Sequence, residues 1–156
     1  MKKAKLTTRT IMVIAFVSLT AMSCKDSKKE QTNAQDEQIT GSDELLPIMY
    51  QLMADMNQIN EGIFIENYPM IDSAAYRIAN HLEINTKQMQ IIKKNLGEDV
   101  QEFVRIDMVV HDRATSIGKA AQQMKMAEIL SQYEILQQSC VNCHNQFRSR
   151  LRNKLR

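Results

Sequence analysis

The sequence predicts an all-α protein, an antiparallel bundle of four helices. Three observations support this prediction. From Asp43 onward the chain has only two prolines and three glycines, its β-branched residues form no alternating run, and its apolar residues recur at intervals of three and four. No internal repeat interrupts this pattern, so we expect one domain of amphipathic helices joined by short connections.

The first helix is predicted to begin near Ser42 or Asp43, either of which can serve as its N-cap. Gly62 is the expected signal for its end. Between them the apolar residues follow a 4-3-4-3 spacing that places them on one face. These residues are Leu45, Met49, Leu52, Met56 and Ile59, with Leu46 and Met53 widening the stripe.

Pro69 marks the first turn of the second helix, where its missing N–H costs nothing. The apolar stripe of that helix is predicted to include Ile71, Ala75, Ile78 and Leu82. Thr86 then begins a shorter amphipathic segment that Gly97 ends; its apolar residues are Met89, Ile92 and Leu96.

Glu98 and Asp99 are expected in the first turn of the third long helix, where negative charge favours the helix dipole. Its core face is predicted to be Phe103, Ile106, Val110, Ala114, Ile117 and Ala121. The last helix presents Met126, Ile129, Tyr133, Leu136, Cys140, Cys143, Phe147 and Leu151. The turn between these two helices is expected within residues 122–125, although no glycine or proline marks it.

Residues 1–23 are predicted to be a lipoprotein-type signal peptide. A basic start precedes an apolar run, Ile11 to Ala21, that is too short for a stable transmembrane helix. The run ends in LTAMSC, which resembles the lipobox of bacterial lipoproteins, with Ala21 where leucine is usual. The resemblance implies cleavage before Cys24 and lipidation of that cysteine. An ordinary signal cleaved nearby and an uncleaved anchor are the alternatives.

Residues 24–42 are predicted to be a disordered polar tether, because they contain almost no apolar side chain to bury. Residues 43–156 then form the helical domain. Removal of the signal takes four of the 20 Lys and Arg residues and leaves 16 against 18 Asp and Glu, so the net charge changes from +2 to about −2. This balance gives no reason to expect nucleic-acid binding.

The segment Cys140-Val141-Asn142-Cys143-His144 holds two of the three cysteines and one of the three histidines. A thioredoxin-type redox pair would require a helix N-terminus after a strand, whereas this pair lies inside a predicted helix. A structural zinc site would need a fourth ligand, and His81 and His111 are single and distant in sequence. Covalent haem attachment uses two thiols and the adjoining histidine, which share one helix face. We favour haem, with zinc and redox chemistry as alternatives.

The segment LQQSCVNCHNQFR resembles the final helix of the cytochrome c prime superfamily, and the resemblance extends from Asp43 to about Arg152. It implies a four-helix bundle with one haem c per chain, attached through Cys140 and Cys143, with His144 as the proximal iron ligand. In members of the family, two bundles often pair through their first two helices, so a homodimer is possible.

The segment IMYQLMADMNQI resembles the first helix of the low-spin branch of that family, in which a methionine supplies the sixth iron ligand. The resemblance implies that Met49 has this role, with Met53 as the fallback. In the open branch an apolar residue guards the position, and Leu45 and Leu52 are available for it.

The predicted function is that of a periplasmic, lipid-anchored electron carrier that serves redox partner proteins and is not an enzyme. A five-coordinate haem protein that binds NO or CO is the alternative. Arg148, one turn after His144, is a candidate partner for a haem propionate, and the basic tail that follows it suits an acidic redox partner. His81 and His111 are assigned no role.

Overall fold

The structure, a computed structural model, describes residues 44–155, which fold into α-helices and one 3₁₀ turn without any strand in that range. The helices are α1 (Leu45–Phe64), α2 (Tyr68–Ala79), α3 (Thr86–Leu96), α4 (Val100–Gln122) and α5 (Met126–Leu151), with the 3₁₀ turn at Gly97–Asp99. The all-helical prediction is confirmed, with α3 as the predicted shorter segment. Between residues 44 and 155 no helix has the length and apolar character needed to cross a membrane. The predicted signal peptide, Cys24 and the tether lie outside the described residues.

Asparagine side chains cap the N-termini of two helices. The Oδ1 atom of Asn67 accepts a hydrogen bond from the Met70 N–H at 3.1 Å, and Pro69 lies in the first turn of α2 as predicted. The Oδ1 atom of Asn85 accepts one from the Gln88 N–H at 2.9 Å at the start of α3. Both contacts satisfy N–H groups that lack a partner within the helix.

Four predicted helix ends are wrong, two of them in α1. Helix α1 begins at Leu45, so Glu44 occupies its N-cap position instead of Ser42 or Asp43. The same helix continues past Gly62 to Phe64. A Cβ atom at Gly62 would lie 2.7 Å from Cγ1 of Ile71 on α2, so a glycine here permits close packing of two helices.

Helix α2 ends at Ala79, and Leu82 lies exposed in the following loop instead of on the buried face. Asn80 ends the helix by donating a hydrogen bond from Nδ2 to the Tyr76 carbonyl at 2.8 Å. Glu98 and Asp99, predicted in the first turn of the third long helix, form the 3₁₀ turn that precedes it.

The connection between α4 and α5 lies at residues 123–125, within the predicted range. Met124 has a φ of 53°, in the left-handed region that favours glycine. The Ala120 carbonyl accepts hydrogen bonds from the N–H groups of Gln123 at 3.2 Å and Lys125 at 3.0 Å. These bonds satisfy the end of α4 without a glycine.

The buried apolar residues form two clusters. The larger cluster joins α2, α4, α5 and the second half of α1; its members are Ile59, Ile71, Ala74, Ala75, Ile78, Val110, Ala114, Ile117, Ala120, Ala121, Ile129, Tyr133 and Leu136. The smaller cluster joins α3, the start of α4 and the end of the chain; its members are Ile92, Leu96, Phe103, Ile106, Phe147, Leu151 and Leu155. The predicted core faces of α4 and α5 are therefore divided between two clusters.

Candidate functional site

The CVNCH segment lies well inside α5, far from the start of that helix. Cys140 and Cys143 are half-buried free thiols, so they form no disulfide with each other. Cys140 packs against the larger core cluster and Cys143 against the smaller one. The two cysteines therefore occupy the point along α5 where one cluster ends and the other begins.

Burial raises the pKa of both thiols. The pKa of Cys143 rises to about 11, mainly through burial and further through the nearby Cys140 and Asp107. Burial likewise raises the pKa of Cys140. Both thiols are therefore protonated at neutral pH, unlike the thiolate that attacks a disulfide in redox-active pairs.

His144 directly follows Cys143 on α5 and is exposed. Burial of part of its ring and the neighbouring Arg148 lower the pKa of His144, so its imidazole is neutral at pH 7. His144 and Arg148 line one open depression with Asn145, Ser149 and Arg152. His144 and Arg148 therefore share one surface. The neutral imidazole of His144 can bind a metal ion there.

The predicted sixth ligand, Met49, lies half-buried in the first half of α1. On either side of it along the helix, Leu45 packs against the smaller core cluster and Leu52 against the larger one. Met53, the fallback, is 56% exposed. Of the two methionines, Met49 is therefore the less exposed, and it lies along α1 between residues that pack against the two clusters.

One arginine of the basic tail after His144 is held by hydrogen bonds to another part of the fold. Arg150 donates from Nη1 to Oδ2 of Asp99 at 2.7 Å and from Nη2 to the carbonyls of Asn95 and Leu96, each at 3.0 Å. These bonds satisfy carbonyls at the end of α3. Arg148, Arg152 and Lys154 are exposed and are the charges that a partner can reach.

A second group of side chains, which the sequence did not assign, converges beside α4. His81, Asp107 and His111 place one ligand atom each within 4.8 Å of one another. Within residues 44–155, these three residues form the one cluster of at least three His, Cys, Asp or Glu side chains that could hold a metal ion. No residue of CVNCH belongs to it. The signal in the sequence was the spacing of Asp107 and His111, one turn apart on a helix. The approach of His81 depends on the loop after α2.

Comparisons with protein families, with curated proteins and with solved structures gave no match to this chain. Its resemblance to the cytochrome c prime superfamily therefore stays a prediction. The chemistry open to this chain is inferred from its own residues.

Proposed function

We propose that this chain is a periplasmic c-type cytochrome that carries single electrons. The observation that supports this proposal best is the location of CVNCH, with Cys140 against one core cluster and Cys143 against the other. A flat, largely apolar ring attached at the division between two apolar clusters would bury its own surface and theirs. The raised pKa values of the thiols disfavour redox chemistry, and within residues 44–155 no CVNCH residue belongs to a cluster of three potential metal ligands, which disfavours zinc.

We further infer that α1, α2, α4 and α5 form an antiparallel bundle. Tyr133 donates a hydrogen bond from its hydroxyl to the Met56 carbonyl at 2.9 Å, which fixes one level at which α1 and α5 meet. Leu45, near the start of α1, packs with the cluster that contains Phe147, near the end of α5. These two contacts are consistent with helices that run in opposite directions.

This register supports Met49 as the sixth ligand. All α-helices rise by the same amount per residue. In an antiparallel pair, moving the same number of residues backward along one helix and forward along the other therefore leads again to residues at equal height. Seven residues before Met56 is Met49, and seven residues after Tyr133 is Cys140. Met49 would therefore lie level with the haem-attachment segment.

Each predicted residue then has a defined task. Cys140 and Cys143 would hold the haem through thioether bonds, and His144 would offer a neutral ring nitrogen to the iron. Haem iron supplies the reversible one-electron change. The surrounding helix side chains exclude water, and Arg148 neutralises a propionate. Arg152 and Lys154 provide positive charge for docking with an acidic redox partner.

We place the protein on the periplasmic side of a bacterial membrane, held there by lipid on Cys24. Haem attachment outside the cytoplasm agrees with an N-terminal export signal. Mass spectrometry of the N-terminal peptide of the mature wild type is expected to show Cys24 as the first residue with lipid attached. A peptide that still contains residues before Cys24 would indicate an uncleaved anchor instead.

The proposal is tested by the visible absorption spectrum of the mature protein, first oxidised, then reduced, then exposed to carbon monoxide. A low-spin haem c spectrum that carbon monoxide does not change is expected, because His144 and Met49 would both bind the iron and leave no position open. A high-spin spectrum that shifts with carbon monoxide would replace this proposal with the gas-binding alternative. Zinc without iron would overturn both.

A further inference from the structure

His81, Asp107 and His111 bring three potential metal ligands from two elements to one point. His81 lies in the loop after α2, whereas Asp107 and His111 lie one turn apart on α4. Nε2 of His81 is 3.4 Å from Oδ1 of Asp107, and Nε2 of His111 is 3.5 Å from Oδ2 of the same carboxylate. The two imidazole rings stack, with their centroids 4.4 Å apart.

Backbone carbonyls determine which ring nitrogen of each histidine carries the proton. Nδ1 of His81 donates to the Leu82 carbonyl at 2.9 Å, and Nδ1 of His111 donates to the Ala79 carbonyl at 2.7 Å. A carbonyl only accepts, so Nδ1 is the protonated nitrogen of each neutral ring. Both Nε2 lone pairs are then available, and histidine ligands of metals are typically oriented by such carbonyl contacts.

Nε2 of His81 lacks a hydrogen bond although its side chain is only 8% exposed. The Asp107 oxygen, at 3.4 Å, is too distant for a normal hydrogen bond. Buried polar atoms in folded proteins almost always have a partner. A metal ion or a proton between Nε2 and the carboxylate would satisfy both groups, and the Asp107 carboxylate accordingly raises the pKa of His81.

The distances agree with such a cation. Two ligands bound at 2.0–2.2 Å to a tetrahedral zinc ion lie about 3.3–3.6 Å apart. Each histidine nitrogen lies at such a distance from one oxygen of the Asp107 carboxylate, 3.4 Å from Oδ1 for His81 and 3.5 Å from Oδ2 for His111. Two imidazoles with one carboxylate suit zinc and similar divalent transition metals, whereas Mg²⁺ and Ca²⁺ prefer oxygen ligands.

We propose that His81, Asp107 and His111 form a zinc-type metal site that links the loop after α2 to α4. The carboxylate is 39% exposed and His111 is 26% exposed, so water can reach a fourth position. The site uses no residue of CVNCH and does not require the proposed electron-carrier function, although Asp107 lies near Cys143. It binds the metal with three protein ligands and stabilises the fold through it.

The test is isothermal titration of zinc chloride into the mature protein with its native covalent groups. One zinc ion per chain is expected, with binding at least tenfold weaker in Asp107→Asn and in His111→Gln. Asp112→Asn is the matched control, because it removes the same charge from an exposed position of the same helix and is expected to bind zinc as the wild type does. No zinc uptake by the wild type, or equal binding by all variants, would overturn the proposal.

Thermal unfolding supplies a second measurement in case a ligand variant is poorly folded. Zinc is expected to raise the melting temperature of the wild type and Asp112→Asn, but not that of Asp107→Asn or His111→Gln. An unchanged melting temperature for the wild type would count against the site.

If zinc binding survives in the ligand variants but is lost when Cys140 and Cys143 are replaced by serine, the metal belongs to CVNCH, and this proposal and the haem proposal both fail. An intact haem spectrum without zinc binding would overturn the zinc site alone.

Discussion

Arg77 donates a hydrogen bond of 2.6 Å from Nε to Oδ1 of Asp55, whose side chain is only 2% exposed. The other carboxylate oxygen accepts from Nε2 of Gln51 at 3.1 Å. The guanidinium also donates to Gln58 on α1 and to Ser73 on α2. A buried negative charge on α1 therefore depends on one arginine that reaches it from α2.

Replacing Arg77 by alanine is expected to lower the free energy of unfolding by about 3 kcal/mol, because the Asp55 carboxylate would stay buried without its cation. The double variant Asp55→Leu with Arg77→Ala is expected to recover much of this loss, since no buried charge remains. Urea unfolding followed by circular dichroism measures both.

Arg105→Ala provides the control for that experiment. Arg105 pairs with Glu102 on the surface of α4, where water solvates both charges, and its loss is expected to leave the unfolding midpoint unchanged. Equal stability of Arg77→Ala and the wild type would contradict the prediction, as would a double variant less stable than Arg77→Ala.

The contact between α1 and α2 at Gly62 gives a second prediction. Alanine there would place its Cβ 2.7 Å from Cγ1 of Ile71 and 3.2 Å from the Asn67 carbonyl, so the two helices must separate. We expect Gly62→Ala to lower the free energy of unfolding by about 1–3 kcal/mol, measured by chemical denaturation.

Gly118→Ala is the matched control, because Gly118 is also a buried glycine within a helix. Its Cβ would lie 3.0 Å from Oδ1 of Asp72, on a side chain that can shift, and 3.9 Å from Ala75. The better helix propensity of alanine then gives an unchanged or higher stability. Equal losses at Gly62 and Gly118 would show that close helix packing is not the cause.

The end of α2 shows where local sequence patterns stop being informative. The apolar spacing continued to Leu82, yet the helix ends at Ala79, whose carbonyl accepts a hydrogen bond from His111 on α4. The partner that satisfies this helix end comes from a distant part of the chain, and periodicity carries no information about it. By contrast, Pro69 restricts the backbone through its own ring, so its position in the first turn of α2 could be predicted from the sequence.

The same distinction holds for the two candidate sites. Cys140, Cys143 and His144 are close in sequence on one helix, so their spacing alone places them on one side of it. The group around Asp107 requires His81 to arrive from another element, and only the folded chain reveals it. The division of the core into two clusters at the level of CVNCH was likewise absent from the apolar pattern, which continues without interruption along α5.

The turn before α5 gives a third prediction. Met124 has a φ of 53°, and a residue with a side chain is strained there by about 1 kcal/mol. Met124→Gly removes that strain at the cost of a more flexible unfolded chain, so we expect stability to rise by about 0.5 kcal/mol.

Gln123→Gly, at the neighbouring position with a φ of −97°, is the control. This substitution relieves no backbone strain in the folded state but makes the unfolded chain more flexible. The variant is therefore expected to be less stable than the wild type. Thermal unfolding of the three proteins gives their order. A Met124→Gly variant that melts below Gln123→Gly would show that the side chain of Met124, which is 69% exposed, contributes more than its backbone strain costs.

The last prediction concerns the proposed sixth ligand. If Met49 binds the iron, Met49→Ala opens that position, and the reduced protein should change from low spin to high spin and bind carbon monoxide. The reduction potential should also fall, because a thioether ligand raises it. Visible spectroscopy and a redox titration of the mature variant measure both effects.

Met53→Ala is the matched control, since it removes the same side chain one turn away on α1 from a position that is 56% exposed. Its spectrum and potential should equal those of the wild type. If Met49→Ala remains low spin while Met53→Ala becomes high spin, the ligand is Met53, and α1 must rotate relative to α5 when haem is bound. If both variants remain low spin, the sixth ligand lies on another element, and the register inferred from Tyr133 and Met56 does not determine it.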